Sequence, residues 1–182
     1  MTSTTTHLMT AEELFLLEDD GQRHELVKGE LLTMSPSSAQ HGAVTMHLSV
    51  LLAQYVETHG LGTVFAAETG FKLESDPDTV LAPDIAFIHR ERVGTISEFY
   101  HLRAPDLVVE VLSPSDRRGK VEEKTARWLS LGVLVVWLVN PRKRTVDFHC
   151  ANGDRKLFSE NDELTGEPVV PGFRVRVSQI FS

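Results

Sequence analysis

The sequence predicts an α/β fold in which a mixed central β-sheet is flanked by helices, with extra β-hairpins. Two short runs, residues 107–112 and residues 134–139, are apolar at almost every position, and turn residues follow each of them. Such runs are typical of strands that are buried on both faces. A helical pattern lies between them, and the order strand, helix, strand indicates a right-handed βαβ unit with parallel strands.

Two elements are predicted near the beginning of the chain. Thr10 and Glu13 form a capping-box pattern, which predicts a short helix that runs to about Glu18. The segment from His24 to Met34 alternates in a way that favours a hairpin, with Lys28-Gly29 at its turn.

A second helix and a strand-rich centre follow. Apolar residues recur at helical spacing from about Ala39 to His59. Strands are expected from Thr63 to Leu73 and from Ala82 to Ile88, ahead of the strand over residues 107–112. A third helix, from about Gly119 to Leu131, connects that strand to the one over residues 134–139.

The last part of the chain predicts a further hairpin. Thr145 to Cys150 and Arg155 to Ser159 are its strands, and Asn152-Gly153 is a typical hairpin turn. Val169 to Phe181 is expected to add a last strand or a short helix. We find no repeats and no linker, so residues 1–182 are expected to form one domain, with residues 1–9 as a flexible tail.

The composition excludes several classes of protein. The 182 residues include one cysteine, which rules out a disulfide framework and a cysteine-based metal site. No apolar stretch approaches the roughly 18 residues that a membrane span needs. We therefore expect a cytoplasmic protein without a membrane partner. The net charge of −8 argues against binding to nucleic acid mainly through bulk electrostatics, although an enzyme can still contact nucleic acid locally.

Glu110 is a carboxylate inside an otherwise apolar strand. An ionised carboxylate in such a place loses hydration worth several kcal/mol unless a cation or hydrogen-bond donors replace the water. The following helix offers a cation, because Lys124 shares its apolar face with Val121, Thr125 and Trp128. Lys124 could instead extend its ammonium to solvent while burying its stem. Its place directly after Glu110 favours a charge pair at a site.

Asp84 supplies a second carboxylate, in Ala82-Pro83-Asp84. Pro83 favours extended backbone and tolerates only the start or the edge of a strand, so Asp84 is expected at the mouth of the strand that follows. A turn-type aspartate at a strand beginning is an equally good interpretation. Two carboxylates from neighbouring strands can, however, hold a hard cation that keeps several waters. Such an ion activates water and neutralises charge on a phosphoryl oxygen.

These residues resemble the PD-(D/E)XK nuclease superfamily and, more closely, its Uma-type family of restriction endonucleases. The resemblance covers nearly the whole chain, and its most specific part is Pro105 to Ser115, which contains Val109-Glu110-Val111-Leu112. It implies a restriction-endonuclease-like fold, hydrolysis of DNA phosphodiester bonds and a Mg²⁺ or Mn²⁺ cofactor. A homodimer is also implied, since nucleases of this kind often pair to reach both strands.

The resemblance also implies a role for individual residues. Asp84 and Glu110 would bind the metal with the backbone carbonyl of Val111, and Lys124 would orient the attacking water or stabilise charge on the phosphate. Glu25 would add a third acid near the metal or its water, although it could equally be a polar position on the hairpin.

The chain departs from the superfamily pattern at two positions. Leu112 stands two residues after the acid, where the superfamily has a lysine. The Uma-type family is similar in lacking that lysine and takes one from the following helix, which corresponds to Lys124. Lys120 stands where that family often has an acid.

Two questions stay open in the sequence. Contacts to nucleic acid are assigned to Arg117, Arg118 and Lys120, and also to His41. The three basic residues form a patch that could instead be a solvated turn. His41 lies near a helix start, a place that is more typical of a surface or capping residue. The alternative function is a catalytically inactive member of this fold that acts as a binding or assembly module.

Overall fold

The structure is a computed structural model that describes residues 7–96 and 98–182. Within them, the helices are α1 (Ala11–Phe15), α2 (Ala39–Thr58), α3 (Arg90–Val93), α4 (Arg118–Ser130) and α5 (Val177–Ile180). The strands are β1 (Arg23–Val27), β2 (Glu30–Met34), β3 (Gly62–Phe65), β4 (Phe71–Glu74), β5 (Thr79–Leu81), β6 (Ile85–His89), β7 (Leu107–Val111), β8 (Val135–Asn140), β9 (Thr145–Cys150), β10 (Arg155–Phe158), β11 (Glu163–Thr165) and β12 (Arg174–Arg176).

A six-stranded mixed sheet forms the centre, in the order β10-β9-β8-β7-β6-β3. β7 and β8 pair in parallel and α4 connects them, which confirms the predicted βαβ unit. The other neighbours in this sheet are antiparallel. A four-stranded antiparallel sheet, in the order β2-β1-β5-β4, and the small β11-β12 pair complete the fold.

Helices cover both faces of the central sheet. Leu107, Val109 and Val111 of β7 pack in the larger core cluster, which also contains the buried stripe of α2. Val108 points to the other face and packs with Trp128 of α4. Because side chains alternate along a strand, Glu110 shares the α4 face with Val108. The central sheet therefore directs the one acid of β7 toward α4.

The strand-rich centre differs from its prediction. Thr63 to Leu73 is not one strand but two, β3 and β4, which belong to different sheets. The chain turns between them, and Glu68 adopts a positive φ of 70°, which a regular strand excludes. The strand predicted from Ala82 to Ile88 begins only at Ile85, because residues 82–84 connect β5 in the small sheet to β6 in the large one. Asp84 directly precedes β6, as predicted.

The N-terminal helix is shorter than predicted, and part of the expected flexible tail is docked on the protein. The Thr10 capping box is confirmed, but α1 ends at Phe15 rather than near Glu18. Only Ala11 and Leu14 are buried in it, and Leu16 is 79% exposed, so packing supports little more than one turn. Residues 1–6 of the expected tail lie outside the described residues. Met9 is docked, because its backbone N–H donates to Gly29 at 2.9 Å.

The remaining elements follow the sequence closely. The β1-β2 hairpin, α2, α4 and the β9-β10 hairpin lie within one or two residues of their predicted bounds. The C-terminal segment contains both alternatives, a strand (β12) and a short helix (α5), while α3, β5 and β11 were not predicted. No helix in residues 7–96 and 98–182 is long and apolar enough to cross a membrane.

Candidate active site

Three elements bring Glu25, Glu110 and Lys124 together. The Nζ atom of Lys124 lies 2.9 Å from Oε1 of Glu110 and 3.2 Å from Oε1 of Glu25. Glu110 comes from β7, Lys124 from α4 and Glu25 from β1. The sequence predicted a cation beside the embedded Glu110, and the structure confirms that Lys124 is that cation.

Glu110 is fixed through one of its two carboxylate oxygens. Oε1 accepts a hydrogen bond from the indole Nε1 of Trp128 at 2.8 Å and contacts Lys124. Among the hydrogen bonds and ion pairs of the described residues, none reaches Oε2. One oxygen of Glu110 is therefore held from the α4 side. The side chain is 14% exposed, which leaves its other oxygen available to a ligand.

Glu25 holds the segment that crosses between the two sheets. Its Oε1 accepts a hydrogen bond from the backbone N–H of Ala82 at 3.1 Å and also contacts Lys124. The residue is 3% exposed. Glu25 therefore links Lys124 to the residues immediately before Asp84, while its role as a third acid near a metal stays a prediction.

Asp84 is also fixed through one oxygen. Oδ2 accepts a hydrogen bond from the backbone N–H of Val111 at 2.8 Å and lies 3.1 Å from Nε2 of His41. By the register of β6 with β7, Pro83 would lie opposite Val111. Proline carries no N–H, so Pro83 cannot donate a hydrogen bond to the carbonyl of Val111. Oδ1 lies 3.8 Å from Nη1 of Arg23, too far for a hydrogen bond.

The electrostatics differ among these side chains. Burial raises the pKa of Glu110, Lys124 lowers it, and the charges of Asp84 and Glu25 raise it again, with a net pKa of about 7. Burial lowers the pKa of Lys124, but its two carboxylate neighbours outweigh burial and raise it, so Lys124 stays charged. Burial raises the pKa of Asp84, but the hydrogen bonds from His41 and the Val111 amide outweigh burial, so the net pKa lies below its ordinary value. Asp84 is thus a stronger acid than Glu110.

His41 is buried and lines the cleft beside Asp84. It is 8% exposed, and its contact with Asp84 raises its pKa against the opposing effect of burial. His41 is therefore not the surface residue that its place near a helix start favoured, because the α2 stripe turns its side chain toward Asp84, and its contact with nucleic acid stays a prediction. The helical spacing of His41 with Val44, Leu48 and Leu52 was the signal that could have shown this orientation.

Only one residue of the predicted basic rim lies at the site. Lys120 lines the cleft that contains Asp84 and Glu110, and its Nζ lies 3.0 Å from Glu123. Arg118 is 89% exposed, pairs with Glu122 at 2.8 Å and lines the adjoining groove instead. Arg117 is exposed at the N-cap of α4. For Arg117 and Arg118, contact with nucleic acid stays a prediction.

The cleft has a volume of about 330 Å³. The loop between β2 and α2 and the loop after β7 form its walls, and Asp84, Glu110 and Lys124 line it. No group of three histidine, cysteine, aspartate or glutamate side chains within the described ranges is arranged to hold a metal ion. The two carboxylates nevertheless fit Mg²⁺ or Mn²⁺, because Mg²⁺ is usually held by one or two carboxylates together with waters.

The sequence does not predict two contacts of the site, one made by the buried Trp128 and one by Arg23. Trp128 was assigned to the apolar face of α4, and its hydrogen bond to Glu110 was not predicted. Arg23 lines the cleft. Its position two residues before Glu25 was the available signal, since such residues share one face of a strand.

Trp128→Phe is expected to lower the free energy of unfolding by about 2 kcal/mol, because Glu110 loses a hydrogen bond in a buried place and the smaller ring leaves a gap. Urea unfolding followed by far-UV circular dichroism measures this change, and Trp137→Phe, in the opposite core, is the matched control. In the described residues the indole nitrogen of Trp137 has no hydrogen-bond partner, so that control loses packing and no hydrogen bond. A smaller loss in Trp128→Phe than in the control would contradict a role for the hydrogen bond.

Comparison with known proteins now decides the family. The model of the Uma2 family, described as "Putative restriction endonuclease", matches residues 11–178. The chain belongs to the Uma2 family. The match includes every residue of the cleft named above, and it places the chain in a family of nucleases.

Two further proteins are similar to this Uma2 protein. An uncharacterized protein of Synechocystis, sll1609, is 27% identical over 171 residues, which are 90% of this chain and 96% of the relative. The crystal structure of a "putative nuclease" belonging to DUF820 from Anabaena variabilis superposes with a TM-score of 0.81 at 19% identity. That likeness covers 95% of this chain and 97% of the other, and it confirms the predicted restriction-endonuclease-like fold.

Proposed function

We propose that this Uma2 protein is a Mg²⁺- or Mn²⁺-dependent endonuclease that hydrolyses phosphodiester bonds of DNA. The observation that carries the proposal is the meeting of two carboxylates, Asp84 and Glu110, with Lys124 in one open cleft. Each carboxylate is anchored through one oxygen and keeps the other available. Such an arrangement is suited to a hard cation and a phosphate more than to any purely structural purpose.

The reaction adds water across a P–O bond. The water oxygen forms a bond to phosphorus, the bridging P–O bond breaks, and one product ends in a phosphate and the other in a hydroxyl. A bound Mg²⁺ or Mn²⁺ would neutralise developing charge on the phosphoryl oxygens and lower the pKa of water. Asp84 and Glu110 would hold that ion through Oδ1 and Oε2. The backbone carbonyl of Val111 is a further proposed ligand.

In this proposal Lys124 acts in place of the lysine that the superfamily has two residues after the acid. Leu112 lies just after β7, and its backbone N–H donates to the carbonyl of Val139 at 2.8 Å. Lys124 instead reaches the end of β7 from α4, with its ammonium beside Glu110. Because both carboxylate neighbours keep it charged, Lys124 can orient water or stabilise negative charge on a phosphate without changing its own protonation state.

The proposal is tested with supercoiled plasmid as substrate. Wild type is expected to nick or linearise the plasmid with Mg²⁺ or Mn²⁺ and to leave it intact with EDTA. Glu110→Gln keeps the size of the side chain and removes its charge, and it is expected to abolish the activity. Equal conversion of plasmid by wild type and Glu110→Gln would show that the activity comes from elsewhere.

The second candidate is a catalytically inactive binding or assembly module of the same fold. Two observations favour it, the net charge of −8 and the position of Arg118 outside the cleft. It predicts no metal binding at Asp84 and Glu110. Titration calorimetry with Mn²⁺ separates the two candidates, because the endonuclease binds the ion and loses that binding in Glu110→Gln.

Three broader features belong to the proposal. The chain acts as one domain located in the cytoplasm, and two copies associate so that both strands of a duplex can be cut. Analytical ultracentrifugation with and without a DNA duplex tests the homodimer directly.

A further inference from the structure

Arg23 is a cationic residue of the cleft that the proposed reaction leaves unused. It opens β1, two residues before Glu25 and four before Val27. Val27 packs against the cluster that contains Trp128 of α4. Because alternate residues of a strand share a face, Arg23 and Glu25 also point toward α4 and the cleft. Arg23 accordingly lines the cleft, and its side chain is 22% exposed.

The guanidinium of Arg23 lacks close partners. Its Nε atom is buried and has no hydrogen-bond partner in the part of the chain that the structure describes. Its two acidic neighbours, Oε1 of Glu68 and Oδ1 of Asp84, both lie at 3.8 Å. A guanidinium has five N–H donors, and a charged group with unsatisfied donors is costly to bury. The partly exposed guanidinium of Arg23 is therefore suited to an anion that enters the cleft.

The other cations near the cleft are already engaged. Lys124 contacts two carboxylates, Glu25 and Glu110, and Lys120 contacts Glu123. Asp84 is a poor permanent partner for Arg23, because its Oδ2 is occupied and its Oδ1 is the oxygen available to a metal ion. When that oxygen turns to a cation, the one acidic neighbour left to Arg23 among the described residues is Glu68, whose side chain is 70% exposed.

We propose that Arg23 binds a non-bridging oxygen of a nucleic-acid phosphate in the cleft. This inference rests on the proposed function, and it names the residue that seats the phosphate next to Asp84. Arginine suits this part, since its planar fork can donate two parallel hydrogen bonds to a phosphate. Arg23 thus positions the substrate, while Lys124 stays with the two acids.

The test measures binding separately from cleavage. Fluorescence anisotropy follows a labelled 30-base-pair duplex in EDTA over a series of salt concentrations. Arg23→Ala is expected to weaken binding about tenfold and to reduce the slope of log K against log salt by about one. Arg23→Lys keeps the charge and is expected to restore the slope but only part of the affinity. Arg174→Ala, which removes an exposed arginine paired with Glu163 outside the cleft, is the control and should change neither.

The outcomes separate this inference from the proposed endonuclease. If Arg23→Ala binds the duplex with wild-type affinity and slope, Arg23 is only a counter-ion of Asp84, and the inference is overturned even where wild type cleaves DNA. If Arg23→Ala loses affinity and wild type never cleaves, the phosphate contact stands and the endonuclease fails. A wild type that does not bind the duplex at all overturns both. Circular dichroism of each variant excludes misfolding as the cause of lost binding.

Discussion

Asp84→Asn is expected to reduce DNA cleavage by about 1,000-fold while the fold is kept. Asparagine has the size of aspartate, and its carbonyl can still accept the hydrogen bond from Val111. The negative charge is lost, however, and the low pKa of Asp84 means that this charge is present at neutral pH in wild type. Loss of a metal ligand forfeits several kcal/mol of charge stabilisation, and each 1.36 kcal/mol or so corresponds to a tenfold rate.

Plasmid cleavage and Mn²⁺ calorimetry measure this effect, with Asp106→Asn as the matched control. Asp106 is as buried as Asp84, both being 4% exposed, but it precedes β7 at the end away from the cleft. It accepts a hydrogen bond from the backbone N–H of His89 and contacts Arg92. Asp106→Asn should therefore lose stability and keep its activity per folded molecule. Wild-type cleavage by Asp84→Asn would exclude Asp84 from the active site.

Lys124→Met is expected to have the largest effect on stability, a loss of about 3 kcal/mol at neutral pH together with the loss of cleavage. Methionine fills similar space but leaves Glu25 and Glu110 without their cation, and breaking a buried ion pair typically costs about 3–5 kcal/mol. The lower figure applies because 27% of the Lys124 side chain is exposed. Urea unfolding measures the change.

The loss in Lys124→Met should depend on pH. In wild type the pKa of Glu110 is already raised to about 7, so its folded form disfavours the charged state, and this carboxyl costs stability as pH rises from its ordinary pKa through 7. Without Lys124 the pKa of Glu110 rises further, and the penalty should be larger at about pH 8 than at about pH 5.5. At the lower pH, protonated Glu110 carries no charge that needs a partner.

Two further variants control this experiment. Lys124→Arg keeps the positive charge and should keep most of the stability. Lys120→Met removes another lysine of the cleft, one that is 79% exposed and pairs with Glu123, so it should change stability by less than about 1 kcal/mol. A Lys124→Met protein as stable as wild type at about pH 8 would contradict the ion pair with Glu110.

The centre of the fold could be predicted because its signals are local. The apolar runs of β7 and β8, and the helical pattern of α4 between them, determine the parallel pair and the helix that covers it. The same patterns predicted the site. An acid in an apolar strand needs a partner, and the lysine on the buried stripe of the next helix is the nearest one along the chain.

The small sheet could not be predicted in the same way. β3 and β4 lie in one stretch of sequence with strand character, and only the turn at Glu68 separates them into different sheets. Strand pairing depends on partners that are distant in sequence, such as β5 with β1, so local alternation does not determine which sheet a strand joins.

The sequence by itself determined the family, the mixed sheet and the pairing of Glu110 with Lys124, because each depends on residues within a single βαβ unit or on a motif. Only the tertiary structure decided that His41 is buried against Asp84, that Trp128 holds Glu110, and that Arg23 lines the cleft beside Asp84. These contacts join elements far apart in the chain. Local spacing indicates which face of its element a residue such as His41 or Arg23 occupies, but the partner it meets there follows from how the two sheets and helices α2 and α4 pack.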